Sequence, residues 1–270
     1  MRKIDKIGLV GGGQMAEALV RGMIVGGVLA ASDIMIAEPD LGRREHMGTT
    51  YKIHVTSDPG EVCDFASIVI LAVKPQIMPL VLESYKELLG KDHLVISIAA
   101  GVTIRAMEAG LSPAMPIVRV MPNTPALVLA GVSALSGNAA VSKDDMAASL
   151  HIFSAVGECV EVAENLLDAV TGLSGSGPGY VFTFIEAMID GGVLAGIPRP
   201  IAEKLAMHTV FGSAKLGIES GEPAAVLKGK VTSPGGTTIE GLRVLEAAGM
   251  RGAVMNAIDA ATRRSRELGK

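Results

Sequence analysis

The stretch KIGLVGGGQMAEALVRG, residues 6–22, decides how the rest of the chain is read. A short apolar run (KIGLV, 6–10) enters a glycine turn, and an amphipathic helical pattern starts directly behind it. The turn has the form Gly11-x-Gly13-x-x-Ala16. Gly11 permits a tight turn, Gly13 removes the side chain where a pyrophosphate would approach the backbone, and Ala16 lets the helix close onto a sheet. The helix start adds free N–H groups and a positive dipole end. The same letters also describe an ordinary structural turn. With a strand before it and a helix after it, the motif predicts a dinucleotide site, with Val10, Gly11, Gly12, Gly13, Gln14 and Met15 as its contacts.

Working outward, IMIA (34–37), IVILAV (68–73), LVISIA (94–99) and IVRVM (117–121) read as further strands. Between them, MAEALVRGMIVGG, PLVLESYKELLG and TIRAMEAG carry apolar residues at helical spacing. Near-continuous apolar strands separated by helices predict an α/β fold with a doubly wound parallel sheet covered on both faces. In such sheets ligands bind beyond the carboxyl ends of the strands. Four strand ends therefore supply candidates. Glu38, in AEPD, is placed to accept hydrogen bonds from the adenosine ribose and favours NADH, whereas Arg43 and Arg44 close behind suit a 2′-phosphate and NADPH. The sequence leaves that choice open, and the arginines also suit a solvated helix face. LAVKPQ (71–76) brings Ala72, Val73, Lys74 and Pro75 beside the coenzyme, with Lys74 as a rim charge or a phosphate contact. In SIAAGVT (97–103) the small residues around Ala100 let a nicotinamide ring lie close. Asn123, held between two prolines in MPNTPALV (121–128), offers an amide donor and acceptor, or else a plain turn.

Composition narrows the partners. The chain has 270 residues, 24 basic and 28 acidic, for a net charge of −4 spread throughout. There is no Trp and there are only eight Phe and Tyr together, so neither the basic face nor the stacking aromatics of a nucleic-acid binder are present. No uncharged apolar run reaches the ~20 residues of a membrane span. The basic start runs straight into strand and glycine loop, without the apolar core and cleavage site of a signal peptide. Two cysteines, Cys63 and Cys159, make no disulfide framework and suit a reducing, cytoplasmic location. The 14 Met residues suit gap-filling in an aromatic-poor core.

After about residue 163 the strand signals stop. PGYVFTFIEAMIDGGVLAG (178–196) and RPIAEKLAMHTVFGSAKLGIESG (199–221) read as long helices, followed by a short one near 222–230 and a terminal one over 251–269. The helix over 178–196 has little polar circumference and should be buried on most sides, which in so small a domain calls for a partner subunit. Between the last helices lies VTSPGGTTIEGLRVLE (231–246), a proline–glycine turn opening an amphipathic helix. That geometry is either an anion site made of free backbone N–H groups or simple capping by Ser233 or Thr237.

Taken in order, GLVGGGQMAEAL, AVKP, SIAAGVT, RVMPNTPALV, GLSGSGPGYVF, IDGGVLAGIPR and above all LKGKVTSPGGTTIEGLRVLE resemble the pyrroline-5-carboxylate reductase family over nearly the whole chain. The resemblance implies an N-terminal Rossmann-type domain (1–163) and a C-terminal all-helical dimerisation domain (164–270). It implies reduction of Δ1-pyrroline-5-carboxylate to L-proline with NADPH or NADH, in a homodimer or a ring of dimers. Gly235, Gly236, Thr237 and Thr238 would hold the substrate carboxylate, the Thr238 hydroxyl would meet the ring nitrogen, and Glu164 falls at a substrate-contact position. Ser174 and Ser176 fit caps or polar pocket groups. Gly221 and Lys230 stand where relatives often carry polar or acidic groups. None of the five histidines falls in a matching motif, which fits the addition of hydride to an already electrophilic iminium. Two rivals remain. A β-hydroxyacid dehydrogenase needs a base on the central helix, and residues 178–196 contain no Lys or His. A nucleotide-sensing dimer needs no second anion turn.

Overall fold

The computed structural model describes residues 1–269 as two compact units. One comprises Met1–Ser176 together with the residues from Ala260 onward; the other is Gly177–Asp259. The division falls later than the 163/164 boundary drawn from sequence.

The first unit is built on eight strands: β1 (Ile7–Val10), β2 (Ile34–Ala37), β3 (His54–Thr56), β4 (Ile68–Leu71), β5 (Leu94–Ser97), β6 (Ile117–Met121), β7 (Gly131–Gly137) and β8 (Gly157–Glu161). Their order is β3-β2-β1-β4-β5-β6-β7-β8. The first six in that order are parallel and in the doubly wound arrangement the sequence predicts. At one edge the sheet adds an antiparallel pair: β7 runs antiparallel to β6, and β8 parallel to β7. The five apolar runs all form strands. The other three strands lack a long apolar run, because β3 has three residues and two of them are exposed, β7 is built mainly of small residues, and β8 is a mostly exposed edge.

Alternation along each strand feeds two cores. Ile7, Leu9, Ile68 and Ile70 face one way, against Leu19, Val20 and Met23 of α1 (Gln14–Val25) and Ile152 and Phe153 further along the chain. Val10, Val69 and Leu71 face the other way, onto Val62, Met78, Leu82, Tyr85 and Met107. The helices beyond α1 that supply these residues are α3 (Pro59–Phe65), α4 (Met78–Tyr85), α5 (Ile104–Gly110) and α6 (Lys143–Ser154), and Met47 of α2 (Leu41–Tyr51) joins the first core. A single turn, α7 (Leu167–Val170), passes into a π-helical turn at Thr171–Gly175.

The second unit contains α8 (Gly177–Leu194), α9 (Arg199–Ser220), α10 (Ala224–Lys230), α11 (Thr237–Ala247) and the first half of α12 (Met250–Leu268). Within one chain, Ile185 is the buried residue of α8, while Phe182 is 61% exposed and Phe211 of α9 is 63% exposed. The helix expected to be covered on most sides is therefore largely uncovered in the single chain. The last turns of α12 belong to the sheet unit, where Ser265 Oγ donates to Asp168 Oδ1 at 2.6 Å.

Candidate functional site

Backbone hydrogen bonds align the carboxyl ends of three strands. Gly11 N–H donates to Ala37 O and Ala72 N–H to Val10 O, both at 2.8 Å, so β1, β2 and β4 end together. Gly11 has φ +93°, and a Cβ there would lie 2.8 Å from Ala72 O; both facts restrict the position to glycine. Gly13 is the N-cap of α1, in extended conformation, with no atom within 4 Å of where its Cβ would stand. No side chain caps α1 among the described residues, which leaves the N–H groups of its first turn without a side-chain cap. A cleft of about 560 Å³ lies over this edge, and Val10, Gly11, Gly13, Glu38, Ala72, Val73 and Lys74 all line it. Gly12, Gln14, Met15 and Pro75 complete the same turns. The bare glycine, the uncapped helix and the cleft fit a dinucleotide phosphate.

The charges beside the loop are more tightly organised than the sequence suggests. Glu38 Oε2 accepts from Gly12 N–H at 2.7 Å and Oε1 from Asp40 N–H at 3.0 Å. Arg43 does not lie on a solvated helix face. Its guanidinium reaches back across the turn to the carbonyl oxygens of Gly12 and Gly13 and pairs with Glu17. Arg44 donates to the carbonyls of Glu38 and Pro39 at 2.5 and 2.7 Å. Glu17, in the first turns of α1, also bonds His46 Nε2 and the Tyr51 hydroxyl, each at 2.9 Å. Burial opposes its ionisation, yet the hydrogen bonds from His46, Arg43 and Tyr51 outweigh it and bring the carboxyl down to about 2. Sequence reasoning missed this cluster. Glu17 carries no motif, and nothing in the letters pairs it with residues on the next helix.

Other candidates take different places. Lys74 is exposed at the cleft rim, and Pro75 opens a short 3-10 turn behind it. Ala100 is exposed in the turn after β5. Asn123 is tied on both sides: its Nδ2 donates to Ser174 O at 3.2 Å and its Oδ1 accepts from Val132 N–H at 2.9 Å. Glu164 Oε1 accepts from Ile104 N–H at 2.7 Å, at the start of α5, and from buried Arg119 at 3.1 Å. Ser174 Oγ bonds the carbonyl one turn back, Val170 O, at 3.1 Å, a back-bond within its own helix.

The helical unit holds the remaining group. Gly235 has φ +65°, and Gly236 is the extended N-cap of α11, its N–H donating to Ser233 O at 3.1 Å. Among the described residues no side chain caps α11, so neither Ser233 nor Thr237 takes the capping role. Thr237 and Thr238 are the first two helical residues, and Thr238 is half-buried. Lys230 pairs with Glu222 at 2.6 Å. No group of His, Cys, Asp and Glu suited to hold a metal occurs among the described residues.

Comparison with known proteins joins the two units. A family described as "Pyrroline-5-carboxylate reductase dimerisation" matches residues 164–268, and one described as "NADP oxidoreductase coenzyme F420-dependent" matches residues 6–101. A pyrroline-5-carboxylate reductase of Synechocystis is 50% identical over 265 residues, covering 98% of each chain. A structure of a Coxiella burnetii pyrroline-5-carboxylate reductase superposes with a TM-score of 0.95 at 36% identity, covering 99% of this chain and 100% of that one. A Plasmodium falciparum pyrroline carboxylate reductase with NADP bound gives 0.88 at 34%, covering 98% of each. Identity of this order along the full length leads to one conclusion: the chain belongs to the pyrroline-5-carboxylate reductase family.

Proposed function

We infer that this chain is an NAD(P)H-dependent oxidoreductase that reduces Δ1-pyrroline-5-carboxylate to L-proline, the last step of proline biosynthesis. The observation that carries the reading is the Ser233–Thr238 turn, a glycine-built helix start without a side-chain cap, in a chain 50% identical to such a reductase. The substrate is a small ring with a carboxylate and a C=N bond. First-turn N–H groups of α11, opened by Gly235 and Gly236, take the carboxylate, and the dipole end favours its charge. Thr237 adds its N–H, and the Thr238 hydroxyl hydrogen-bonds the ring nitrogen. The reduced nicotinamide supplies the hydride, which adds to the ring carbon of the protonated imine while the C=N π electrons become the amine lone pair. The nitrogen keeps its proton, so the site needs no strong acid or base. Positioning in a dry pocket is the chain's contribution. Glu164 joins the substrate residues through the family resemblance, with its carboxylate steadied by Arg119.

The coenzyme lies over Val10–Met15, with Glu38, Ala72, Val73, Lys74, Pro75, Ala100 and Asn123 along the strand ends. The functional boundary is 163/164, supported by the start of the dimerisation match at residue 164. The chain works as a homodimer, or a ring of dimers, in the cytoplasm. Exposed Phe182, Leu194, Phe211 and Ile218 in the helical unit support the pairing. Free Cys63 and Cys159 support a reducing compartment, and no helix among the described residues is long and apolar enough to cross a membrane.

Purified protein given pyrroline-5-carboxylate should oxidise NADH or NADPH and yield L-proline. Binding of either coenzyme with no turnover would return the sensor reading in place of the enzyme.

A further inference from the structure

The coenzyme cleft is flanked by two carboxylates and two guanidiniums, and the structure commits each of them. Glu38 lines the cleft at the end of β2, its carboxylate held by Gly12 N–H at 2.7 Å and Asp40 N–H at 3.0 Å. An ionised carboxylate accepts at about four lone-pair positions, so two such bonds leave capacity for ribose hydroxyls. The same fixed charge repels a phosphate on the ribose 2′ oxygen. A 2′-phosphate also needs a cationic partner, and neither nearby arginine is uncommitted. Arg43 is drawn to Glu17 and to the Gly12 and Gly13 carbonyls, and Arg44 to the carbonyls of Glu38 and Pro39.

We propose that Glu38 makes this chain select NADH over NADPH, with Glu17 as the positioning residue that keeps Arg43 on the glycine loop. The proposal rests on reading the cleft as the coenzyme site. Removing the Glu38 charge lifts the repulsion and leaves a 2′-phosphate tolerated. Removing the Glu17 charge releases a guanidinium whose pairing energy then becomes available to an anionic ligand. The two carboxylates thus act in the same direction from different elements.

The chain contains no Trp, so binding can be followed directly through the fluorescence of the reduced nicotinamide, independently of turnover. The full chain is titrated with NADH and with NADPH. The expected dissociation constant for NADH is lower by about tenfold or more, the scale of one partly exposed like-charge contact. Glu38→Gln should close most of that gap by tightening NADPH, and Glu38→Ser should do the same where the amide disturbs the loop. Glu17→Gln should tighten NADPH by a few-fold, while Glu45→Gln on the exposed side of α2 should leave the ratio as in the wild type. Equal or tighter NADPH binding by the wild-type chain overturns the proposal, as does an unchanged ratio in both Glu38 variants. An equal shift in Glu45→Gln also overturns it, since helix charge rather than Glu38 would then be the cause. An unchanged ratio in Glu17→Gln removes the positioning role. Failure of both coenzymes to bind would instead refute the cleft assignment itself.

Discussion

Thr238 is the second residue of α11, half-buried, behind a turn that ends without a side-chain cap. Its proposed hydrogen bond to a ring nitrogen is one charge-assisted contact, worth about 1.5–3 kcal/mol. Thr238→Ala should therefore lower kcat/KM by roughly 10- to 100-fold. Melting temperature and coenzyme dissociation constant should stay near the wild type. Steady-state kinetics beside thermal melts check this, and an unchanged rate would remove the role. At this scale the sequence is an uneven guide. The glycines at 11 and 235 are legible because a positive φ leaves few alternatives, and both adopt one. Asn123 is legible as a polar group near a strand end and Glu164 only through the family resemblance, and neither is legible in what it bonds. Their partners, Val132, Ser174, Ile104 and Arg119, lie between 9 and 60 positions away along the chain. For Cys63 and Cys159, burial pushes both thiols up to about 11, far from the reactive thiolate range.

Two helices meet the glycine loop, and a single carboxylate braces them. Glu17 of α1 gathers Arg43, His46 and Tyr51 from α2, and their hydrogen bonds, against the opposing effect of burial, hold its carboxyl down at about 2, below the ordinary 4.5. The sign follows from linkage. A depressed folded-state value means the ionised form is favoured on folding, so its stabilisation is complete above the ordinary value and drains away as pH falls toward 2. The wild-type chain should lose thermal stability between about pH 4.5 and 2 more steeply than Glu17→Gln, with the two melting curves converging at the acid end. A gap between them that stays constant across that range would mean the carboxylate braces nothing. Element existence was readable where apolar residues ran on, as in β1, β2 and β4 to β6. It was not readable in β3, β7 and β8, where short length, small side chains or edge exposure leave too little hydrophobic pattern to separate a strand from a loop. The antiparallel β7 is thus a product of tertiary pairing with β6, not of its own letters.

For the whole molecule, the sheet unit carries the cleft proposed for the coenzyme and the helical unit the turn proposed for the substrate carboxylate. The long apolar helices could be read as needing cover, and the single chain leaves Leu194 90% and Ile218 82% exposed. Such a surface is expected of chains that bury it against a second copy. The central claim is narrower than the assembly: backbone N–H groups at the start of α11 grip a carboxylate and so hold a cyclic imine for reduction. It is tested most directly by comparing kcat/KM for Δ1-pyrroline-5-carboxylate with that for 1-pyrroline, the same ring without its carboxylate. Two charge-assisted contacts of about 1.5 kcal/mol each predict a loss of roughly 100-fold or more for the bare ring. Equal efficiency with the two substrates would contradict the account.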